Sequence, residues 1–309
     1  MLPDIPRISV LMITYKQENL VGRALDSLLS QKDYIYEICI NDDCSPDGTW
    51  NVLQRYAQQY PDLIKPVRNE HNLGIFENIE ATWKRPTGDI IYRLAGDDEC
   101  GKDYFRQVIE FIKKRGIDYK NELFCIFGDY KQVNADGKAI VYRNNMIQKH
   151  DPVKLHVRKL LSNRSACYSK KVLDKFVKVS DGRSFSVEFV MEYQVHLFAE
   201  HNYYIPVIGN VYYAQIGVSA HMSKSESKTS HIQTYDKLVA FLEQHGRPLD
   251  KKDRNYVKYM QAYRSKNTKQ ALKYYLKGID LSLGLKGLQF RRILFVYVNR
   301  ILKKKEIKH

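Results

Sequence analysis

The stretch Tyr36-Glu37-Ile38-Cys39-Ile40-Asn41-Asp42-Asp43-Cys44-Ser45-Pro46-Asp47-Gly48-Thr49 passes abruptly from a short apolar run into turn chemistry. Tyr36–Ile40 reads as a strand, Asn41–Gly48 as a polar turn, and Thr49 to about Tyr60 as a helix. The same order recurs on both sides. Upstream, Ile8–Ile13 is a short apolar run interrupted only by Ser9, as expected of a strand buried on both faces. Leu20, Val21, Ala24, Leu25 and Leu28 follow at helical spacing. Downstream, strands are predicted at Leu63–Val67, Asp89–Leu94 and Leu123–Phe127, with helices at Gly74 to about Lys84 and Asp103–Lys114. Repeated β-α-β units predict an α/β fold of Rossmann-like type, a mostly parallel sheet with helices on both faces.

After about Asp129 the rhythm loosens. Lys131–Asn145 reads as a hairpin around Ala135-Asp136-Gly137. A helix is predicted over Val187–Glu200, strands over Tyr203–Tyr213, and a Ser/Lys-rich linker over Ser223–Ser230. Helices then follow at His231–Glu243, Arg254–Arg264, Thr268–Lys277 and Leu288–Lys305, the middle two tyrosine-rich and suited to a helical hairpin. The chain therefore divides into a domain over 1–222 and a C-terminal helical region over 223–309.

With 309 residues, 44% of them hydrophobic, the chain is long enough for one large core and a smaller appendage. Five scattered cysteines without a Cys-x-x-Cys pair predict reduced thiols, not a disulfide or zinc framework. The N-terminus lacks a basic stretch followed by an apolar one, and no apolar run is long enough to span a bilayer. These features predict a cytoplasmic protein. The net charge of +15 calls for an anionic partner. Nucleic acid is a poor candidate, because no nucleic-acid module accompanies the charge.

Ligands of open parallel sheets bind beyond the carboxyl ends of the strands. Three polar clusters fall there: Thr14-Tyr15-Lys16-Gln17-Glu18, Asp42-Asp43-Cys44-Ser45 and Asp97-Asp98-Glu99. Each alone would pass for an ordinary turn or helix cap. Their convergence on one edge points to a ligand site. Neither Gly-x-Gly-x-x-Gly after the first strand nor a P-loop occurs, so a bound diphosphate needs another source of positive charge. Adjacent aspartates supply it indirectly by holding Mg²⁺ or Mn²⁺, which prefer carboxylate and water oxygens and bridge to phosphates.

Ile8–Tyr15, the Asp42-Asp43-Cys44-Ser45-Pro46-Asp47-Gly48-Thr49 string, Asn72-Leu73-Gly74 and Gly96-Asp97-Asp98 resemble, in order and spacing, the family 2 glycosyltransferases. The resemblance is good over about residues 7–130, weaker to about 220 and absent beyond. It implies a GT-A fold, a nucleotide-diphosphate sugar donor (UDP-sugar favoured), a divalent cation and inversion at the anomeric carbon. Carried onto this chain, it puts Thr14, Tyr15 and Glu18 beside the nucleoside, Asp43 at the base, and Asn72 and Gly74 along the nucleotide. Asp98 would contact the metal, Asp97 the ribose or the metal shell, and His221 is a candidate third ligand. Ala95 stands where many relatives have a leading aspartate, and Lys16 where they have asparagine.

The family's base is a carboxylate on a helix after the sheet. The corresponding segment, Glu188-Phe189-Val190-Met191-Glu192-Tyr193, implies Glu192 as catalytic base, with Glu188 the alternative. His196 shares that face, where a lone histidine reads as structural. Tyr212–Ser219 resembles the family's closing strand, with Tyr213 and Gln215 replacing its Arg and His. The expected enzyme is a hexosyl- or N-acetylhexosaminyltransferase acting on a saccharide or glycolipid acceptor in polysaccharide biosynthesis. The alternative is a nucleotide-binding module or pseudoenzyme without turnover. In the basic tail over 288–305, Phe290, Leu294, Tyr297, Val298 and Ile301 align at helical spacing among arginines and lysines. This fits a peripheral helix on an anionic inner membrane face, or packing on its own domain or on a second copy in a homo-oligomer.

Overall fold

The computed structural model describes residues 5–176, 193–214, 235–236, 238–265 and 267–283. They fall into two compact units. The first holds 5–149, 162–176 and 193–214; the second holds 150–161 and the described residues from 235 onward. The division read from the sequence at 222/223 lies outside the described residues, and residues 150–161 group with the helical unit.

The first unit begins with β1 (Ile8–Thr14), α1 (Val21–Leu29), β2 (Glu37–Asp42), α2 (Thr49–Gln59), β3 (Ile64–Arg68), α3 (Ile75–Trp83) and β4 (Ile90–Ala95). β3-β2-β1-β4 is a parallel block in that spatial order. The chain thus winds outward from β1 in one direction and returns beside it as β4, which makes the carboxyl ends of β1 and β4 a topological switch point. Ile8, Val10 and Met12 of β1 and Ile38 and Ile40 of β2 pack with Val21, Ala24, Leu25 and Leu28 of α1, all fully buried. The i, i+3, i+4, i+7 spacing on α1 lets one helix stripe cover one sheet face. α3 lies against β1 and β2, with Leu11, Ile79 and Trp83 buried at 4%, 5% and 9% exposure. Burial of both faces explains why β1 and β4 are predominantly apolar, with only Ser9 and Arg93 interrupting Ile8–Ile13 and Ile90–Ala95.

Beyond β4 come β5 (Glu99–Cys100), α4 (Tyr104–Arg115), β6 (Phe124–Val133), β7 (Ala139–Tyr142), α5 (Pro152–Val157), β8 (Ala166–Ser169), α6 (Lys170–Asp174) and β9 (His201–Tyr213). α4 buries Tyr104, Phe105, Val108, Ile109 and Ile112 and ends at Gly116, whose φ of 62° is a conformation glycine adopts without strain. The sheet continues as β8-β6-β9-β5, with β8 antiparallel to both β4 and β6, and β7 pairs with β6. β8 was not legible in the sequence. Tyr203–Tyr213, read as strands, belongs to one thirteen-residue strand parallel to β6, with a register irregularity around Asp129. Only residues 193–198 of the predicted helix Val187–Glu200 are described as helical.

In the second unit, α7 (Lys251–Arg264) and α8 (Thr268–Gly278) form the helical hairpin expected from their tyrosines. The Tyr259 and Tyr275 rings meet edge to face with centroids 5.5 Å apart. α7 starts before Arg254 because the Asp250 side chain caps it, accepting from Asp253 N at 2.7 Å. Arg158, 1% exposed, donates to Asp253 Oδ1 at 2.6 Å and to the Gly278 carbonyl at 2.9 Å. Lys154 bridges Asp250 and Asp280 at 3.2 and 2.5 Å. All five cysteines are free. Among the described residues no helix is long and apolar enough to cross a membrane.

Candidate active site

Strand register brings the three sequence clusters together. Thr14 pairs with Asp42 across β1 and β2, and Ile13 pairs with Ala95 across β1 and β4. The loops after these strands therefore share one edge. The approach is close: a Cβ on Gly96 would lie 3.0 Å from Thr14 Cγ2 and run into the Gln17 side-chain oxygen. Gly96 is thus needed for β4 to end beside β1.

Asp42 ties the first two loops. It is fully buried, and its carboxylate accepts from the Thr14 hydroxyl at 3.0 Å, the Ser45 hydroxyl at 2.5 Å and Ser45 N at 3.0 Å. Arg68 lies 3.5 Å from the same carboxylate and donates to the Ser45 carbonyl at 2.8 Å. Lys16 N donates to Ser45 Oγ at 3.1 Å. Lys16 and Cys44 both have φ of 54°, a left-handed conformation costing about 1 kcal/mol outside glycine.

Thr14 is 2% exposed, with its hydroxyl turned into Asp42. Tyr15 is half-buried, with the Lys16 ammonium 5.3 Å from its ring centroid. Glu18 is exposed and accepts from Gly48 N at 3.0 Å. Asp43, Asn72 and Gly74 come together as expected. Asp43, 3% exposed, accepts from Leu73 N at 2.8 Å, Gly74 N at 2.9 Å and Asn69 Nδ2 at 2.9 Å, and Asn72 donates to the Asp43 carbonyl at 3.3 Å. Asp43 thereby shapes the loop that leads into α3. Gly74, with φ of 88°, occupies a conformation that a side chain would strain.

The third cluster follows β4. Asp98 is 2% exposed; its Oδ1 accepts from Tyr213 N at 3.2 Å, and its Oδ2 faces Arg164 Nη1 at 3.3 Å. Burial is the largest influence and pushes the Asp98 carboxyl up to about 6. Arg164 pulls it down, neighbouring Asp97 raises it further, and hydrogen bonds from Tyr213 and Asn210 lower it. Arg23 braces the other side. It donates to the Asp97 carbonyl at 2.7 Å, pairs with Glu99 at 3.2 Å and lies 3.7 Å over the Tyr213 ring. Tyr213 in turn donates its phenol to Glu99 at 2.7 Å.

Sequence reasoning missed Arg164, Arg23 and Arg68. They lie 66, 74 and 26 positions along the chain from their partners Asp98, Asp97 and Asp42, and no local pattern marks them. Glu192, Glu188 and His221 lie outside the described residues, as do Gln215–Ser219 and the basic tail over 288–305. His196 is 2% exposed and stacks on Phe127, with ring centroids 5.5 Å apart, in keeping with a structural histidine.

The donor chemistry at Asp97–Asp98 fits a divalent cation. Asp98 is a buried hard-oxygen donor whose environment supplies too little positive charge to offset its burial. No group of three His, Cys, Asp or Glu side chains gathers among the described residues. Further coordination would fall to water and phosphate oxygens, a common arrangement for Mg²⁺.

The family model for glycosyl transferase family 2 matches residues 9–175, more than half of the chain. The chain belongs to glycosyl transferase family 2. It is 32% identical over 109 residues to the glycosyltransferase EpsE of Bacillus subtilis, covering 35% of this chain and 39% of EpsE. It is 26% identical over 149 residues to the abequosyltransferase RfbV of Salmonella typhimurium, covering 45% of each. The chain thus spans less than half the length of either relative. Two solved structures share its fold. S. aureus TarS 1-349 in complex with UDP-GlcNAc has a TM-score of 0.57 at 17% identity, covering 94% of this chain and 79% of that one. The mannosyltransferase PcManGT from Pyrobaculum calidifontis, in complex with GDP-Man and Mn²⁺, has a TM-score of 0.59 at 14% identity, covering 99% and 88%. The family 2 chain accordingly has the GT-A fold expected of it, with helices beyond the sheet.

Proposed function

We propose that this family 2 chain is an inverting glycosyltransferase that moves a sugar from a nucleoside-diphosphate sugar, UDP-linked in preference, to a saccharide hydroxyl. The observation carrying the reading is the buried Asp98 carboxylate beside Asp97 at the carboxyl end of β4, one strand from the Thr14–Asp42 knot. Thr14, Tyr15, Glu18, Asp43, Asn72, Gly74 and Asp97 border the nucleotide side in this reading, with Asp43 acting both as loop anchor and toward the base. Asp98 holds the cation, with Asp97 and His221 as further candidates. When bound, Mg²⁺ or Mn²⁺ there would offset the charge that develops on the departing diphosphate.

The chain's own residues do the rest. Glu192, or Glu188 in its place, takes the acceptor proton as the hydroxyl oxygen bonds to the anomeric carbon. The bond from that carbon to the diphosphate oxygen breaks on the opposite side, inverting the centre. Lys16 and Arg68, cationic at the carboxyl edge, add positive charge near the diphosphate. A lipid-linked glycan is the acceptor class in this reading, reached at the inner membrane face through the basic tail over 288–305.

Thermal unfolding with UDP, UDP-GlcNAc and GDP-Man, each with and without Mn²⁺, tests it. At ligand concentrations near a hundred times Kd, binding adds about 2.7 kcal/mol and raises the melting temperature by several degrees. The Mn²⁺-dependent part should vanish in Asp98→Asn. No shift with any nucleotide would sink the reading. The Asp98–Arg164 ion pair favours one rival, a nucleotide-binding module without turnover, which predicts the shift but no release of UDP from the sugar nucleotide.

A further inference from the structure

Outward from Asp98, aromatic side chains cross three strands on one face of the sheet. β7 pairs with β6 so that Tyr142 lies opposite Tyr130 and Ile140 opposite Gln132. β6 pairs with β9 so that Tyr130 lies opposite Asn210 and Gln132 opposite Tyr212. Directly opposed residues share a face, as do alternate residues along a strand. Tyr142, Tyr130 and Asn210 therefore make one row, and Ile140, Gln132 and Tyr212 the next.

The inner end of this face belongs to the site. The Arg164 guanidinium lies 3.6 Å over the Tyr212 ring while its Nη1 faces Asp98 at 3.3 Å. Asn210 also hydrogen-bonds Asp98. The outer end is open: Tyr142 is 39% and Ile140 46% exposed. Tyr142 stacks on Tyr130, centroids 4.8 Å apart and planes within 6°. β7 is exposed at all four residues, so burial of a core does not account for its apolar character.

We propose that the strip Tyr212–Tyr130–Tyr142 is a binding platform for the pyranose rings of the saccharide acceptor, leading it toward Asp98. The proposal rests on the transferase reading and names a surface for that reading's second substrate. A pyranose presents a flat face of C–H bonds and a rim of hydroxyls. Aromatic faces cover the first, and phenol and amide groups, here of the tyrosines and Gln132, meet the second. A strip continuous with the site orders an incoming ring at little entropic cost, because the tyrosines are held by strand pairing.

Saturation-transfer NMR on the full chain with UDP present tests the platform. The probes are methyl glycosides of glucose, galactose, mannose and N-acetylglucosamine, with the β-linked disaccharides of glucose and N-acetylglucosamine. At least one sugar should receive saturation, and its signal should fall about fivefold in Tyr142→Ala. Tyr142→Phe should keep the signal, because the ring face carries the contact. Tyr142→Leu, which retains bulk without the ring, should lose it, and guards against misfolding of the alanine variant. Absence of transfer to every sugar, or transfer unchanged in both Tyr142→Ala and Tyr142→Leu, would overturn the platform. So would a loss of the uridine signal in these variants, which would make the strip part of the donor site. Absence of a uridine signal from the unaltered chain counts against the transferase reading instead, with the sugar signals still judged by their dependence on Tyr142.

Discussion

Glu37 and Asp98 are two carboxylates with 2% exposure each, at opposite ends of one sheet, and their surroundings treat them oppositely. Glu37 opens β2 at the amino end. It accepts from Thr87 N at 2.6 Å, Ser9 Oγ at 2.8 Å, Lys65 Nζ at 2.9 Å and Thr87 Oγ1 at 3.0 Å. Burial pushes its carboxyl up, yet these donors together outweigh burial and hold it down at about 2. Asp98 follows β4 at the carboxyl end, where longer contacts to Arg164 and Tyr213 leave burial dominant and the carboxyl at about 6. The difference teaches that low exposure alone does not set the state of an acid: Asp98 is set deeper in the protein than Glu37 and has fewer close donors. The amino end is a finished structural joint. The carboxyl end is electrostatically incomplete, as befits an edge that meets a ligand.

The largest expected effect is on catalysis. Asp98→Asn should lower sugar-nucleotide turnover by about a hundredfold or more, while the melting temperature holds or rises because an uncomfortable buried charge is gone. A fall in melting temperature as large as that of a Glu37 variant would break the contrast between the two ends.

Glu37→Gln should do the reverse, costing about 2–4 kcal/mol in urea unfolding by leaving Lys65 and the Thr87 donors without their acceptor charge. Turnover per folded molecule should be kept. The same residue sets an acid limb. Its folded-state carboxyl is depressed to about 2 from 4.5, so its stabilisation is complete above about pH 4.5 and is lost as pH falls toward about 2. Melting curves followed by circular dichroism should therefore decline less steeply across that window in Glu37→Gln than in the unaltered chain.

The smallest effect is expected at Arg164. Its side chain is 38% exposed, so Arg164→Ala should cost no more than about 1 kcal/mol of stability. A cost above about 2 kcal/mol would make Asp98–Arg164 a structural pair of the Glu37–Lys65 kind.

Much of the parallel block was legible because its signals are local. Apolar runs mark β1, β2 and β4, and polar turns mark where each ends, which puts the three clusters on one edge. Asp43, Asn72 and Gly74 were grouped by resemblance, and the hydrogen bonds of Asp43 give that grouping a physical basis. β8 was not legible: four residues, Ala166–Ser169, carry too short a pattern to separate from a loop. Nor was the single long β9, because its pairing with β6 is a property of two distant segments.

By itself, then, the sequence determined the strand-and-helix order from β1 to β4, the carboxyl-edge location of Thr14, Asp43, Asp97 and Asp98, and the family. Those depend on residue types a few positions apart. Only the tertiary structure decided that Arg164 faces Asp98, that Lys65 and Thr87 close over Glu37, and that Tyr212, Tyr130 and Tyr142 share a face. Charge compensation and strand register arise between residues far apart in the chain, and only folding brings them within reach.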